Sequence, residues 1–335
     1  KASVWGAVGG LAVSAPMYYF WGLDSVIPSL LAYAAVTWLC RGLYHEKVGH
    51  PDAPLGMRET FTAGKGFALL GVYMTVTTFA SNAVSYIFMS YLNQRAGTDT
   101  AGLYQAGFTL VNRYVGLVLV AVGMEYLPRL SEVSLSPRRI ELFLTHEIIL
   151  IMLVMFPVVT IFVAADEIIV RLLYDSPFLV MLPFVTWAVI GTVFRAWSWC
   201  LAYVILAKSD GVAYLVTELL SAIVAIGLNI WFYGLWGIPG LGYAYTLWYL
   251  FYLAEVWVMC RRRYRLTLRR DAVVLPALVF LACAGAAACR EIFGWWGAMP
   301  FVILSLAVSF SGLRKLLGVS PAELVKKFVK PAKKS

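Results

Sequence analysis

Two arginines, Arg113 and Arg195, stand in the middle of strongly apolar runs, in TLVNRYVGLVL and TVFRAWSWCLA. A guanidinium does not deprotonate in a protein, so neither side chain can escape a low dielectric by becoming neutral. Its planar fork of donors matches phosphate or diphosphate bidentately, so the chemistry these positions suit is the binding of an anionic ligand. Polar residues recur at helical spacing around them. Thr75, Thr78, Asn82 and Ser85 are separated by three, four and three residues, and Glu218, Ala222, Ala225 and Asn229 by four, three and four. Tyr245, Trp248, Tyr252 and Glu255 share roughly one further face. Such stripes on neighbouring helices predict a hydrated cavity, with Arg113, Arg195, Thr78, Asn82 and Asn229 as the substrate-binding candidates.

The elements that must position these residues are membrane helices. Of the 335 residues, 61% are hydrophobic and 13% charged, and the mean hydropathy is +0.79. Soluble domains carry about 25% charged residues. Apolar runs long enough to cross a ~30 Å hydrocarbon layer recur along the whole chain. They predict an all-α, polytopic membrane protein of about ten spans, near 2–21, 24–43, 67–92, 102–125, 145–165, 179–207, 212–235, 238–260, 272–289 and 295–312. The longest connection, 44–66, reads as a linker between two helix groups. The chain opens at Lys1 almost directly on an apolar run, which leads to the expectation that it is truncated at its amino terminus.

Charge sets the orientation. Of the 27 Lys and Arg residues, 22 fall on one side of these spans and three, Arg95, Arg171 and Arg290, on the other, with Arg113 and Arg195 left inside. The positive side is cytoplasmic, which places the carboxy terminus there. The net charge of +9 is thus an orientation and anionic-lipid signal, and no basic–aromatic module accompanies it that would point to nucleic acid. In the tail, Ser320 and Glu323 have capping-box spacing, so 320–328 is predicted as a short basic helix on the membrane surface, with a solvated tail as the other reading. The five cysteines form no CxxC and the three histidines are scattered. With no nucleotide loop, metal-ligand cluster or paired carboxylates in a large loop, the composition does not point to an enzyme.

Helical geometry constrains each charged side chain further. A 3.6-residue wheel puts Arg113 on a stripe of Gly102, Ala106, Thr109, Gly116, Val120 and Gly123, opposite Val111, Val115, Val118 and Val122, so the small stripe is expected to face the interior. Arg195 and Glu218 lie on consecutive antiparallel spans at depths about 7 Å apart. A structural ion pair between them is expected, with a ligand contact as the other reading. Glu255, close to the positive end of its span, is expected to snorkel.

The stretch DTAGLYQAGFTLVNRYVGLVLVAVGMEYLPRLSEV resembles a helix and its cytoplasmic exit in the O-antigen translocases, the lipid-linked oligosaccharide flippases of the multidrug/oligosaccharidyl-lipid/polysaccharide exporter superfamily. The shared features are Gly102 and Tyr104 at the entry, the small-residue helix, and the exit from Leu127 to Ser131. FPVVTIFVAADEIIVRLLYDSPF, WSWCLAYVILAKSD and WGLDSVIPSLL are similar to other parts of that family. The resemblance implies a two-lobed, MATE-like exporter fold lacking most of its first lobe. Residues 1–43 would be the last two helices of the amino-terminal lobe, 44–66 the inter-lobe linker and 67–260 the six-helix carboxy-terminal lobe. Residues 261–271 would be a basic cytoplasmic loop, 272–312 an extra helix pair and 313–335 a basic tail. It further implies a flippase for an undecaprenyl-diphosphate-linked oligosaccharide in a bacterial inner membrane, working by lobe-rocking alternating access. No cofactor is implied. Glu218 is the candidate for coupling to a proton or sodium gradient. Anionic membrane lipids and polysaccharide-assembly polymerase proteins are the implied partners beside the lipid-linked oligosaccharide. A multidrug extruder of the same fold and a cell-wall lipid-precursor flippase are the alternatives.

Overall fold

A computed structural model of the chain describes residues 2–45, 57–133 and 136–317. The described residues are helical nearly throughout and contain no strand. In order, α1 (Ala2–Trp21), a 3₁₀ turn (Gly22–Ser25) and α2 (Val26–His45) are followed by α3 (Met57–Thr109), a π-helical segment (Leu110–Val115) and α4 (Gly116–Val133). Then come α5 (Pro137–Leu173), a 3₁₀ turn (Ser176–Met181), α6 (Leu182–Ala207), α7 (Gly211–Trp236), α8 (Ile238–Tyr264), α9 (Asp271–Phe293) and α10 (Trp295–Leu317). The surface helix expected at 320–328 and residues 46–56 of the 44–66 linker lie outside the described residues.

The chain divides into two compact units, residues 1–64 and 65–335. In the first, α1 and α2 pack along each other. A side chain on Gly10 would lie 2.3 Å from the Tyr33 ring, so the close approach depends on that glycine.

In the second unit α3 is two helices in one. Gly97 has φ +83° and ψ 170°, a conformation that side-chain-bearing residues rarely adopt. Phe88 and Tyr104 are 16 residues apart, about 24 Å along a straight helix, yet their ring centroids are 5.1 Å apart. The chain therefore reverses at Gly97, and the runs read at 67–92 and 102–125 are the two arms of a hairpin. The second arm continues through the π segment into α4.

Helix α6 is the centre of this unit. It packs against α5, α8, α9 and the π segment, and its buried residues lie on every face, as a helix apolar all round requires. Helices α9 and α10 pack against each other and against α5. An Asp166–Arg290 ion pair ties α5 to α9, and Thr186 of α6 donates to the same carboxylate at 2.6 Å.

Among the described residues, six stretches are long and apolar enough to cross a membrane: Gly64–Arg113, Pro137–Leu173, Ser176–Ala207, Gly211–Trp236, Asp271–Phe293 and Trp295–Leu316. The first of them contains the Gly97 reversal. Helix α8 falls short because its many tyrosines and tryptophans carry polar groups that lower its mean hydropathy, not because it is short. The chain is a multi-pass, all-helical membrane protein.

The α6–α7 turn is closed by Asp210. Its side chain caps α7 by accepting the Ala213 N–H at 3.2 Å, and it also accepts from Arg263 and, at 2.9 Å, from the Tyr264 hydroxyl at the end of α8. Partial burial alone would raise its pKa, but the Arg263, Tyr264 and Ala213 donors outweigh that and hold the carboxyl below its ordinary value.

Candidate functional site

The polar residues that the structure brings together lie among α6, α7 and α8. A cavity of about 230 Å³ is lined by Arg195, Ser198 and Trp199 of α6, Tyr214, Glu218 and Ser221 of α7, and Trp248, Tyr249 and Tyr252 of α8. Small residues make the α6–α8 contact close enough to form it. A side chain on Gly191, one turn before Arg195, would sit 2.8 Å from Thr246 Oγ1 and 2.9 Å from Thr246 Cα.

Arg195 is held from two sides. It donates to Asn112 Oδ1 at 2.6 Å and to the Tyr245 hydroxyl at 3.2 Å, and its guanidinium carbon stands 5.7 Å from the centre of the Tyr249 ring. The Asn112 amide in turn donates to the Phe108 carbonyl at 2.9 Å, which fixes its orientation. Glu218 does not pair with Arg195. Its Oε1 accepts from the Tyr252 hydroxyl at 2.5 Å, while Trp248 donates to Ser221 at 2.8 Å. The ion pair expected between Arg195 and Glu218 is thus replaced by two separate hydrogen-bonded groups in one cavity. Neutral donors and acceptors on the intervening helix, Tyr245 and Tyr252, take the place of the opposite charge. Glu255 does not snorkel freely: it is half-buried, and its Oε2 is enclosed without a hydrogen-bond partner.

Arg113 lies elsewhere. It is exposed, and among the described residues it makes no ion pair. The stripe of Gly102, Ala106, Thr109 and Arg113 is half-buried or exposed, whereas Val111, read as the opposite, lipid-facing side, is 0% exposed. The faces are already exchanged ahead of the π-helical segment Leu110–Val115, and Gly116 beyond it, on the same predicted stripe, is buried. Each π turn spends more residues than an α turn, so a 3.6-residue register does not carry across it. Asn112 rather than Arg113 turns towards α6.

The stripe on α3 is also reversed. Thr78 and Asn82 are exposed, as are Thr75 and Ser85, and the three hydroxyls donate to carbonyls of their own helix. The buried polar residue there is Thr77, 3% exposed. Asn229 is half-buried and outside the cavity. Of the predicted set, only Arg195 and Glu218 meet in one site. The residues that sequence reasoning passed over are Asn112, Tyr214, Ser221 and Tyr249. Tyr249 was findable as the residue four after Tyr245.

Two larger cavities are less suited to chemistry. One of about 690 Å³, lined by Trp187, Phe232, Trp236 and Tyr243 among others, has no charged group. The other, about 600 Å³, is lined in part by Glu167 and Arg290, which are already paired with Arg171 and Asp166. No group of three or more His, Cys, Asp or Glu among the described residues could hold a metal ion.

The model of a family described as polysaccharide biosynthesis protein matches residues 1–183. No curated protein matches the chain. Among solved structures the chain is similar to the Lipid II flippase MurJ in its inward closed conformation. The TM-score is 0.60 at 12% identity, covering 95% of this chain and 68% of that one. At that identity the likeness shows the fold alone, an all-helical membrane architecture.

Proposed function

This chain belongs to the polysaccharide biosynthesis protein family, and from that premise we propose that it works as a flippase. Its substrate is an undecaprenyl-diphosphate-linked oligosaccharide, an O-antigen or other surface-polysaccharide repeat unit, moved across the bacterial inner membrane by lobe-rocking alternating access. In this reading residues 1–43 belong to the amino-terminal lobe and 67–260 form the carboxy-terminal lobe. Residues 272–312 are an added pair, and the basic segments 261–271 and 313–335 meet anionic lipid on the cytoplasmic side. The fold likeness to a lipid flippase supports the class.

The observation that carries the reading is that two guanidinium groups stand mid-helix and neither is paired with a carboxylate among the described residues. Arg195 is 13 residues into α6 and Arg113 is 16 residues beyond Gly97. Charged side chains at such depth are costly in lipid and persist where they serve a ligand path. An extruder of lipophilic cations would need carboxylates there instead. Arg113, with its donors uncommitted among the described residues, is the group that meets the diphosphate. Arg195 contributes to the wall of the path.

The test is binding of an undecaprenyl-diphosphate oligosaccharide to the full chain in lipid nanodiscs, with a lipophilic cation as control. Arg113→Gln should weaken binding by about 1.5–3 kcal/mol, the range for a hydrogen bond to a charged group. Binding of the cation in place of the lipid-linked sugar would overturn the reading.

A further inference from the structure

The α6–α7–α8 cavity has the wrong chemistry for a diphosphate. A diphosphate beside its one positive lining group, Arg195, would face the carboxylate of Glu218 in the same walls. A lipophilic cation fares no better, since it would face that arginine. A metal ion would have a single carboxylate. What the cavity does offer is aromatic faces together with donors and acceptors that are not used up. Arg195 spends two of its five N–H groups on Asn112 and Tyr245. Glu218 accepts from Tyr252, which takes one of about four lone-pair positions on a carboxylate. At about 230 Å³ the space is smaller than sites for drug-sized ligands, which start at roughly 300 Å³.

Adjacent donors and acceptors beside aromatic faces, in a volume of one ring, match a polyhydroxylated ring with one apolar side. We propose that this cavity is a subsite for a single neutral pyranose ring of the substrate. Trp248 and Tyr249 supply the faces, Glu218 accepts from vicinal hydroxyls and Arg195 donates to ring or hydroxyl oxygens. This assignment rests on the flippase reading and deepens it, because it separates the sugar, in the cavity, from the diphosphate, at Arg113.

The experiment compares two ligands on the full chain in nanodiscs: undecaprenyl diphosphate and the same lipid carrying one neutral hexose. The glycosylated lipid should bind about tenfold tighter, a difference worth roughly 1.4 kcal/mol. In Glu218→Gln, and separately in Trp248→Leu, that advantage should fall to about twofold or less, since a lost charged acceptor or aromatic face removes energy of that order. The ratio of two affinities on one preparation does not depend on how much of it is folded. Equal binding of the two lipids by the unaltered chain, or an advantage that survives both substitutions, would overturn the subsite and leave the flippase reading standing. Failure of both lipids to bind would remove the flippase reading and the subsite with it.

Discussion

Gly191→Ala tests whether the α6–α8 contact holds the site together. The added methyl would lie 2.8 Å from Thr246 Oγ1, 2.9 Å from Thr246 Cα and 3.1 Å from the Tyr245 ring. The second of these contacts is backbone, so no rotamer change relieves it. Inserting a methyl into packed space costs about 1–3 kcal/mol. A domain of this size loses about 2–4 °C of Tm for each kcal/mol, so Tm should drop by roughly 2–12 °C. Forcing α6 from α8 also lengthens the 3.2 Å bond from Arg195 to Tyr245, one turn away, so affinity for the glycosylated lipid should fall with Tm. Thermal unfolding in detergent, followed by tryptophan fluorescence, measures the first effect. Gly71→Ala is the control, because nothing lies within 4 Å of a side chain there. Thr246→Ala in the Gly191→Ala background should restore stability only in part: it removes the Oγ1 contact but not the Cα one, and it loses the bonds to the Trp187 and Gly242 carbonyls. A Gly191→Ala protein melting within about 1 °C of the Gly71→Ala control would refute the packing argument, since even the low end of the overpacking range exceeds that shift.

Two further outcomes rest on the ion pairs. Arg290→Gln leaves Asp166, 0% exposed, without its cation; breaking a buried pair from one side costs about 3–5 kcal/mol, and Asp166→Asn added to it should recover part of the lost Tm. Asp210→Asn keeps a capping oxygen for Ala213 but loses the charge that Arg263 and Tyr264 hold. Because the folded-state pKa of Asp210 lies below its ordinary value, the stabilisation is complete above the unfolded pKa of about 3.9 and vanishes as pH falls through the folded value. The unaltered chain should therefore melt higher than the variant at pH 7, and the gap should close in acid; a gap independent of pH down to the acid limit would show that the charge is not what Asp210 contributes.

The helices were legible because a membrane span is a long apolar run, a signal that needs no knowledge of tertiary contacts. So was the aromatic face of α8, since Tyr245, Trp248 and Tyr252 keep α-helical register along an unbroken helix. Two things were hidden, each for a physical reason. The side of the helix that Arg113 occupies was misread because a small-residue stripe does not say what it faces: Gly102, Ala106 and Thr109 are half-buried or exposed already ahead of the π segment, and the register slips further inside LVNRYV. The Thr75–Ser85 stripe was misread because a hydroxyl can satisfy itself on the preceding turn of its own helix, as Thr75, Thr78 and Ser85 do. A row of such residues can then stand on an exposed face at little cost, so periodicity identifies the row without saying what it faces.

In the proposed reading the two arginines have different duties. Asn112 and Arg113 are neighbours in the chain, and one is fastened to Arg195 while the other is exposed and makes no ion pair among the described residues. Within the cavity, the charges of Arg195 and Glu218 offset one another without touching, so a neutral ring can enter without stranding either. Arg113 has no such balance among the described residues and presents a net positive charge. A substrate with its charge in a diphosphate and its bulk in uncharged sugars divides along the same line.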